Sequence, residues 1–387
     1  MPDPRRLLRA LRGGVDRAGA ALLEGAVRRA AARVSSPSRP PAAPRSLFVL
    51  RNNDIGDLLI VTPLFEALGR LFPEARIAAG VGDWSRGALL HNPWVSEVLP
   101  VNAPWFNKYA ADAGPLGRWA WLRRSPEVRE IARRRFDIGI DVLGSAWGSL
   151  LLLRAGIPWR MGVRGYAGGD SGVQAAVEFD PSLHVGRAAL RCAGLLGATS
   201  LPAARPQIFL TSEETNEAER WWTAGDEGAR RRRIVISPGG GLASRCWPTE
   251  SWIELAAGLG RRTDISVLVL TGPREREIAA AVTAACPGAR SHAEPPGLRQ
   301  VFALLARGDL VLCNSSMPLH AAAAFSRRTC ALLGPAFPSA SLHQAQWGYP
   351  SSRTLGREPG VRASLYTPAE ALQVIQEEII CSESARE

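Results

Sequence analysis

The chain reads as α/β: two Rossmann-like domains facing each other across a cleft, preceded by a helical arm. Three observations predict this. Short, continuously apolar runs such as Leu47–Leu50, Ile138–Val142, Ser266–Leu270 and Asp309–Cys313 alternate with segments of helical period, the pattern of parallel strands covered on both faces. The alternation runs twice, on either side of a Gly/Pro/Ala-rich stretch at Gly197–Pro206, where an interdomain hinge falls naturally. In each half, moreover, a polar or glycine-rich loop follows an early strand directly. That is the carboxyl edge at which open α/β sheets bind ligands.

Composition agrees. A chain of 387 residues holds two core-bearing domains plus an appendage, and 46% hydrophobic with 21% charged residues describes a globular protein, not a disordered one. The formal charge of +11 is carried almost wholly by arginine, with Lys108 the only lysine. Such a bias is a weak nucleic-acid signal, and no nucleic acid is expected as a partner. A basic surface does favour phosphorylated small molecules and anionic headgroups. The six cysteines are scattered, without CxxC or Cys/His spacing, so no zinc site is expected and the thiols read as reduced and cytoplasmic. Runs such as Val301–Ala306 are far short of a membrane span, and no signal peptide is evident.

In order, residues 1–44 form a basic arm and linker. Leu7, Leu8, Leu11, Val15, Ala18, Leu22 and Ala26 share one helical face, and arginines take the other. Residues 1–34 therefore suit either peripheral contact with an anionic membrane or docking on the chain itself. Ser35–Pro44 is proline-rich linker. Residues 45–205 make the first domain, with strands at Leu47–Leu50, Arg76–Ala79, Ile138–Val142 and, weakly, Arg160–Val163, and helices at Pro63–Phe72, Trp84–Leu90 and Ser125–Arg135. Residues 206–365 make the second, with strands at Arg233–Ser237, Ser266–Leu270, Asp309–Cys313 and Thr329–Leu333, and helices at Trp252–Arg261, Glu275–Ala285 and Pro318–Phe325. Residues 366–387 add a helix, Pro368–Ile380, and a tail.

Four loops carry chemistry. The stretch Arg51–Phe65 places Asp57 directly after Gly56, where a carboxylate faces the cleft, with Arg51 and Asn53 in the same loop; Asp57 would serve equally as a plain helix cap. Pro238–Trp247 offers Gly239 and Gly240, whose backbone N–H groups can approach phosphate, and Arg245 to clamp it. No Walker loop or GxGxxG fingerprint is present. Thr271–Glu275 brings an acid, Glu275, to a strand end. Asn314–His320 lays Ser315, Ser316 and Met317 at a helix start favourable to anions. A lone histidine there, His320, is most often a structural hydrogen-bonder, and Trp247 is expected in the core.

These motifs stand in an order that resembles glycosyltransferase family 9, the ADP-heptose:lipopolysaccharide heptosyltransferases. Ile55-Gly56-Asp57 with Thr62-Pro63, His91-Asn92-Pro93, Phe136–Asp141, Arg245-Cys246-Trp247-Pro248 with Trp252, Asn314–His320 and Leu333-Gly334-Pro335 carry the resemblance, which spans about Arg45 to Ile380. It implies a GT-B fold and an inverting transfer without metal or other cofactor. On this resemblance Asp57 is the general base, and Arg245 with the backbone around Ser316 and Met317 stabilises the leaving diphosphate. Glu275 contacts the ribose. Gly239, Gly240, Ser315 and His320 join the donor side, while Arg51, Asn53 and Gly56 form the acceptor-side loop. Two positions depart from the family pattern. Arg245 stands where lysine is common, and Ser315-Ser316-Met317 stands for acid, Ser/Thr and glycine. Before Pro318, Met317 is expected to be extended and to cap a helix that begins at Pro318.

The function expected is transfer of a sugar, heptose from ADP-heptose, onto a lipopolysaccharide-type or other surface glycan, at the cytoplasmic side of a membrane. Alternatives are another nucleotide-sugar donor, an epimerase of the same fold, and a catalytically degenerate relative that binds glycan or nucleotide. The epimerase needs a second acid/base group beside Asp57, and none stands out.

Overall fold

The computed structural model describes residues 19–224 and 231–381. The first sheet contains β1 (Ser46–Leu50), β2 (Arg76–Val81), β3 (Glu97–Pro100), β4 (Ile138–Asp141), β5 (Trp159–Arg164) and β6 (Ala175–Glu178). Its order is β3-β2-β1-β4-β5-β6, and every pairing is parallel. The second sheet contains β7 (Arg232–Ser237), β8 (Ile265–Val269), β9 (Arg290–Ser291), β10 (Leu310–Cys313), β11 (Arg328–Leu332) and β12 (Ser352–Leu355). Its order, β12-β11-β10-β7-β8-β9, repeats the same winding, again all parallel. Each sheet reverses direction once, between β1 and β4 and between β7 and β10. Those are the switch points at which such sheets open a crevice.

The central strands are buried on both faces, as their unbroken apolar runs require. Asp137 fixes the start of β1, its Oδ2 accepting the N–H groups of Arg45 (2.7 Å) and Ser46 (3.0 Å). Capping follows local chemistry: the Ser125 hydroxyl accepts the Glu127 N–H ahead of helix Pro126–Arg134, and Thr211 with Glu214 closes a capping box on helix Ser212–Thr223. The largest apolar cluster does not respect the domain division. It runs from Leu47, Leu58 and Leu59 into Val311, Leu319 and Ala322. Helix Ile55–Leu59 of the first domain packs on helix Met317–Ala324 of the second. Helix Pro368–Cys381 lays Ala371 and Ile375 into the second-domain core beside Trp252 and Leu255.

One expectation needs correction, and the arm and linker gain detail. The segment expected as helix Trp84–Leu90 is a 3-10 turn over Asp83–Ala88. It is short and holds Gly87, so it cannot repay the cost of helix nucleation. The described part of the arm, helical over residues 19–31, docks on its own domain. Val27 is fully buried among Phe48, Leu151 and Leu153, and the Glu24 carboxylate accepts the N–H groups of Gly169 (2.7 Å) and Ser171 (3.3 Å). The buried stripe is Leu23, Val27, Ala30, Ala31 and Val34, one position off the face read from the sequence, which leaves Leu22 73% exposed. The rest of the arm, residues 1–18, lies outside the described residues. The linker, finally, is pinned: the buried Arg160 guanidinium donates to Ser36 Oγ at 2.8 Å and to the Gly172 carbonyl at 2.7 Å. Among the described residues no helix is long and apolar enough to cross a membrane.

Candidate active site

Between the domains lies a cavity of about 590 Å³. The first domain supplies Ile55, Trp84, Lys108 and Tyr109 to its wall, and the second supplies the loops after β7, β8 and β10. Both switch points therefore open onto one cleft.

On the first-domain side, Arg51 ends β1 and turns back. Its Nε donates to the Asp57 carbonyl at 3.1 Å and its Nη2 to Asp57 Oδ1 at 3.4 Å. Arg51 is buried, whereas the Asp57 side chain keeps 31% of its surface exposed. Burial raises the Asp57 carboxyl above its usual pKa, Arg51 and Lys108 pull against that shift, and Asp54 adds to it. The result is a carboxylate more basic than a surface aspartate, held by its partner yet open on one side. Asp54, not Asp57, stands at the cap position of helix Ile55–Leu59, and its side chain makes no capping bond. Asn53 is structural, its Nδ2 donating to the Phe106 carbonyl at 2.9 Å and its carbonyl accepting the Trp84 indole N–H at 2.9 Å. Gly56 is glycine for a reason the sequence does not reveal. A Cβ there would meet His320 Cδ2 at 3.0 Å and the Met317 Cα at 3.5 Å. It admits the opposite domain.

On the second-domain side, Gly239, Gly240, Glu275, Ser316 and Met317 all line the cavity. None of the glycines of Gly239–Gly241 has positive φ; Gly239 instead receives the Glu275 side chain against its Cα. One buried residue ties two loops together, holding both ends of Pro238–Trp247. Asn314 donates through Nδ2 to the carbonyls of Pro238 (2.6 Å) and Gly239 (3.1 Å), and its Oδ1 accepts the Trp247 N–H at 2.8 Å. Trp247 is in the core, as expected, its indole N–H on the Tyr366 carbonyl at 3.1 Å.

Other expected residues sit elsewhere. Arg245 lies on the exposed turn Ala243–Arg245, beside the cavity and not in its wall. Ser315 turns away from the cleft, its hydroxyl 2.7 Å from His343 Nε2. His320 is buried, with Nδ1 2.7 Å from the Tyr349 hydroxyl, and burial drives its pKa down to about 3. It is a buried hydrogen-bonder and does not line the cavity. Met317 is the first helical residue, with Ser316 the extended cap and Pro318 second in the helix. Proline is tolerated there because the N–H it lacks would have no intrahelical partner anyway. Among the described residues no group of three His, Cys, Asp or Glu is placed to hold a metal ion.

The sequence reading missed Trp84, Lys108, Tyr109 and the apolar patch of Leu270, Pro296 and Val301. Trp84 and Tyr109 stack at 4.9 Å and 15°, and burial with the nearby Asp54 charge pushes the Tyr109 hydroxyl up to about 12. Only Lys108 carried a signal in the sequence, as the single lysine.

The family description "Glycosyltransferase family 9 (heptosyltransferase)" matches residues 127–341, more than half the chain. The chain belongs to glycosyltransferase family 9. It is 24% identical over 288 residues to the lipopolysaccharide core heptosyltransferase OpsX of Haemophilus influenzae, covering 72% of this chain and 76% of the relative. It is 26% identical over 306 residues to lipopolysaccharide heptosyltransferase 2 of Escherichia coli, covering 76% and 83%. Among solved structures, a family 9 glycosyl transferase from Veillonella parvula superposes with a TM-score of 0.70 at 17% identity, over 89% of this chain and 99% of that one. The E. coli ADP-heptose lps heptosyltransferase II gives 0.67 at 22% identity, over 87% and 99%. The two parallel sheets and their cleft are thus the GT-B fold, and this family 9 member is a glycosyltransferase.

Proposed function

We propose that this protein transfers heptose from ADP-heptose to a lipopolysaccharide-type acceptor, with inversion at the anomeric carbon and without a metal. The observation that carries the reading is the meeting of the two switch points. A Cβ on Gly56 would lie only 3.5 Å from the Met317 Cα of the opposite domain, so Asp57, one residue on, stands beside the loop that opens the donor-side helix, next to the cavity though not in its wall. A donor held by the second domain then presents its anomeric carbon to an acceptor activated at the first. The names of the curated relatives, which are lipopolysaccharide heptosyltransferases, support the donor and acceptor.

In this mechanism the acceptor hydroxyl attacks the anomeric carbon from the face opposite the diphosphate. Its proton passes to the Asp57 carboxylate as the sugar–phosphate bond breaks and the nucleoside diphosphate leaves with the electron pair. General-base help of this kind is worth about two to four orders of magnitude. Charge gathering on the leaving group is met by backbone N–H groups of Gly239, Gly240 and Ser316 and by Arg245 swinging in from its turn. Glu275, folded against Gly239 in the cavity wall, accepts from the ribose. Asp57 works ionised, so the rate falls as pH drops through its raised pKa.

The reading places the enzyme at the cytoplasmic face, where its acceptor is lipid-linked; the scattered free cysteines suit a reducing compartment. Incubation with ADP-heptose and a heptose-deficient lipopolysaccharide acceptor, read by mass spectrometry and by the anomeric configuration of the product, tests it. No transfer, a retained configuration or loss of transfer on adding a chelator contradicts the corresponding part.

A further inference from the structure

Among the described residues, Lys108 is the one cation of the cleft wall's first-domain side, and the proposed mechanism gives it no part. The chain fills its other basic positions with arginine yet keeps an ammonium here. The loop that carries it is built, not loose. Asn53 holds the Phe106 carbonyl at 2.9 Å, Asn107 Oδ1 accepts the N–H groups of Tyr109 (3.0 Å) and Ala110 (2.7 Å), and the Lys108 N–H donates to Asp54 Oδ1 at 3.3 Å. The side chain passes over the Tyr109 ring, with Nζ 5.4 Å from its centroid. At its end Nζ reaches the opposite domain: a methyl built on Gly241 would lie 3.5 Å from it. Asp54 Oδ2 is 3.8 Å away, near enough to attract and too far to hydrogen-bond. The ammonium, in a side chain 33% exposed, thus keeps its donors for something else, at the mouth of the glycine run.

We propose that Lys108 binds the diphosphate of the nucleotide-sugar, closing on the leaving group from the acceptor domain while the glycine run holds it from the other side. The inference rests on the reading of Gly239–Gly241 as the diphosphate cradle. An ammonium is a compact point charge on a flexible stem, whereas a guanidinium is a wider, planar fork; the gap between the Tyr109 ring and Gly241 suits the former. Arg245 and Lys108 then flank the same charge from two domains, and the donor becomes the bridge that draws them together. The same ammonium could meet a phosphate or carboxylate of the acceptor, and the experiment separates the two.

Calorimetry with ADP, GDP, UDP and CDP and the parent nucleosides, on wild type, Lys108→Met and Lys108→Arg, decides the matter. For whichever nucleotide wild type binds, Lys108→Met should weaken the diphosphate about ten- to a hundredfold, the effect of losing one charged hydrogen bond. The nucleoside should bind as before, and Lys108→Arg, which keeps the charge but not the compact shape, should recover only part of the loss. Unchanged diphosphate affinity in Lys108→Met overturns the inference, and overturns it in favour of an acceptor role if the acceptor KM rises instead. Equal weakening of diphosphate and nucleoside also overturns it, because the Trp84–Tyr109 wall would then have moved. If wild type binds no nucleoside diphosphate, the functional reading fails along with this one; if it binds and Lys108→Met matches it, only this one fails.

Discussion

Gly56→Ala should loosen the contact on which the whole site depends. The added methyl would sit 3.0 Å from His320 Cδ2 and 3.5 Å from the Met317 Cα, where carbon atoms prefer about 3.5–4.0 Å. The histidine ring must give by roughly half an ångström to reach that spacing, and it is poorly placed to do so. It is buried, and its Nδ1 is fixed 2.7 Å from the Tyr349 hydroxyl. The other neighbour is backbone at a helix start. Overpacking of this kind costs about 1–3 kcal/mol. Because the two sides belong to different domains, separation relieves the strain, carrying the donor loop away from Asp57. Denaturant unfolding should therefore show the loss of stability, and turnover should fall more than nucleotide affinity, most of whose contacts lie in the second domain. In a His320→Ala background the cost of Gly56→Ala should shrink, with a coupling of at least about 0.5 kcal/mol. A Gly56→Ala protein as stable as wild type, or strictly additive costs, would refute the close-packing argument.

Other outcomes follow from the same geometry. Arg245→Ala should weaken nucleotide-sugar binding by about 1.5–3 kcal/mol, the range for a hydrogen bond to a charged group; titration showing no change would remove Arg245 from the donor site. Ser316→Ala should weaken donor binding, while Met317→Gly is tolerated and broadens donor acceptance in a panel of nucleotide-sugars. Deleting residues 1–34 should destabilise the fold, since burial of Val27 alone is worth about 1.5–3 kcal/mol; deleting residues 1–18 spares Val27 and should instead release the protein from anionic vesicles, and unaltered vesicle binding would deny the arm that role. Burial lowers the pKa of His184 and His343 to about 4 and of His320 to about 3, below the model-compound value near 6.5. Their neutral forms are favoured in the fold, so this stability is complete above about pH 6.5 and drains as pH falls toward 4, by up to about 1.4 kcal/mol per unit for each histidine. Denaturation midpoints at pH 7.5 and 5 check the slope, and His184→Gln should flatten it.

Much of the fold was legible because the interior strands are unbroken apolar runs. The strands that escaped notice, β3, β6, β9 and β12, are the four sheet edges. Each is short and partly exposed, so none carries a continuous hydrophobic signal. Helix Ala146–Arg154 escaped for the opposite reason, being apolar nearly all round and buried, which leaves no amphipathic period to read. In the site, loops placed directly after strands were readable as ligand-facing, and Gly239, Gly240, Glu275, Ser316 and Met317 do line the cavity. What the sequence could not supply was direction. Ser315 and His320 lie in the right loop but face His343 and Tyr349 instead of the cleft, because tertiary partners decide where a side chain on a helix start points. Trp84 and Tyr109 meet only through the fold of the first domain, and Gly56 owes its identity to a residue more than two hundred positions away in the chain.

The most direct test of the account is single-turnover transfer by Asp57→Asn, paired with its affinity for ADP. Asparagine keeps the shape beside Arg51 and cannot take a proton. The account predicts a rate lower by about a hundredfold or more, with ADP affinity nearly unchanged and a wild-type pH profile whose acidic limb disappears in the variant. Turnover close to wild type would contradict it and leave Asp57 a structural partner of Arg51.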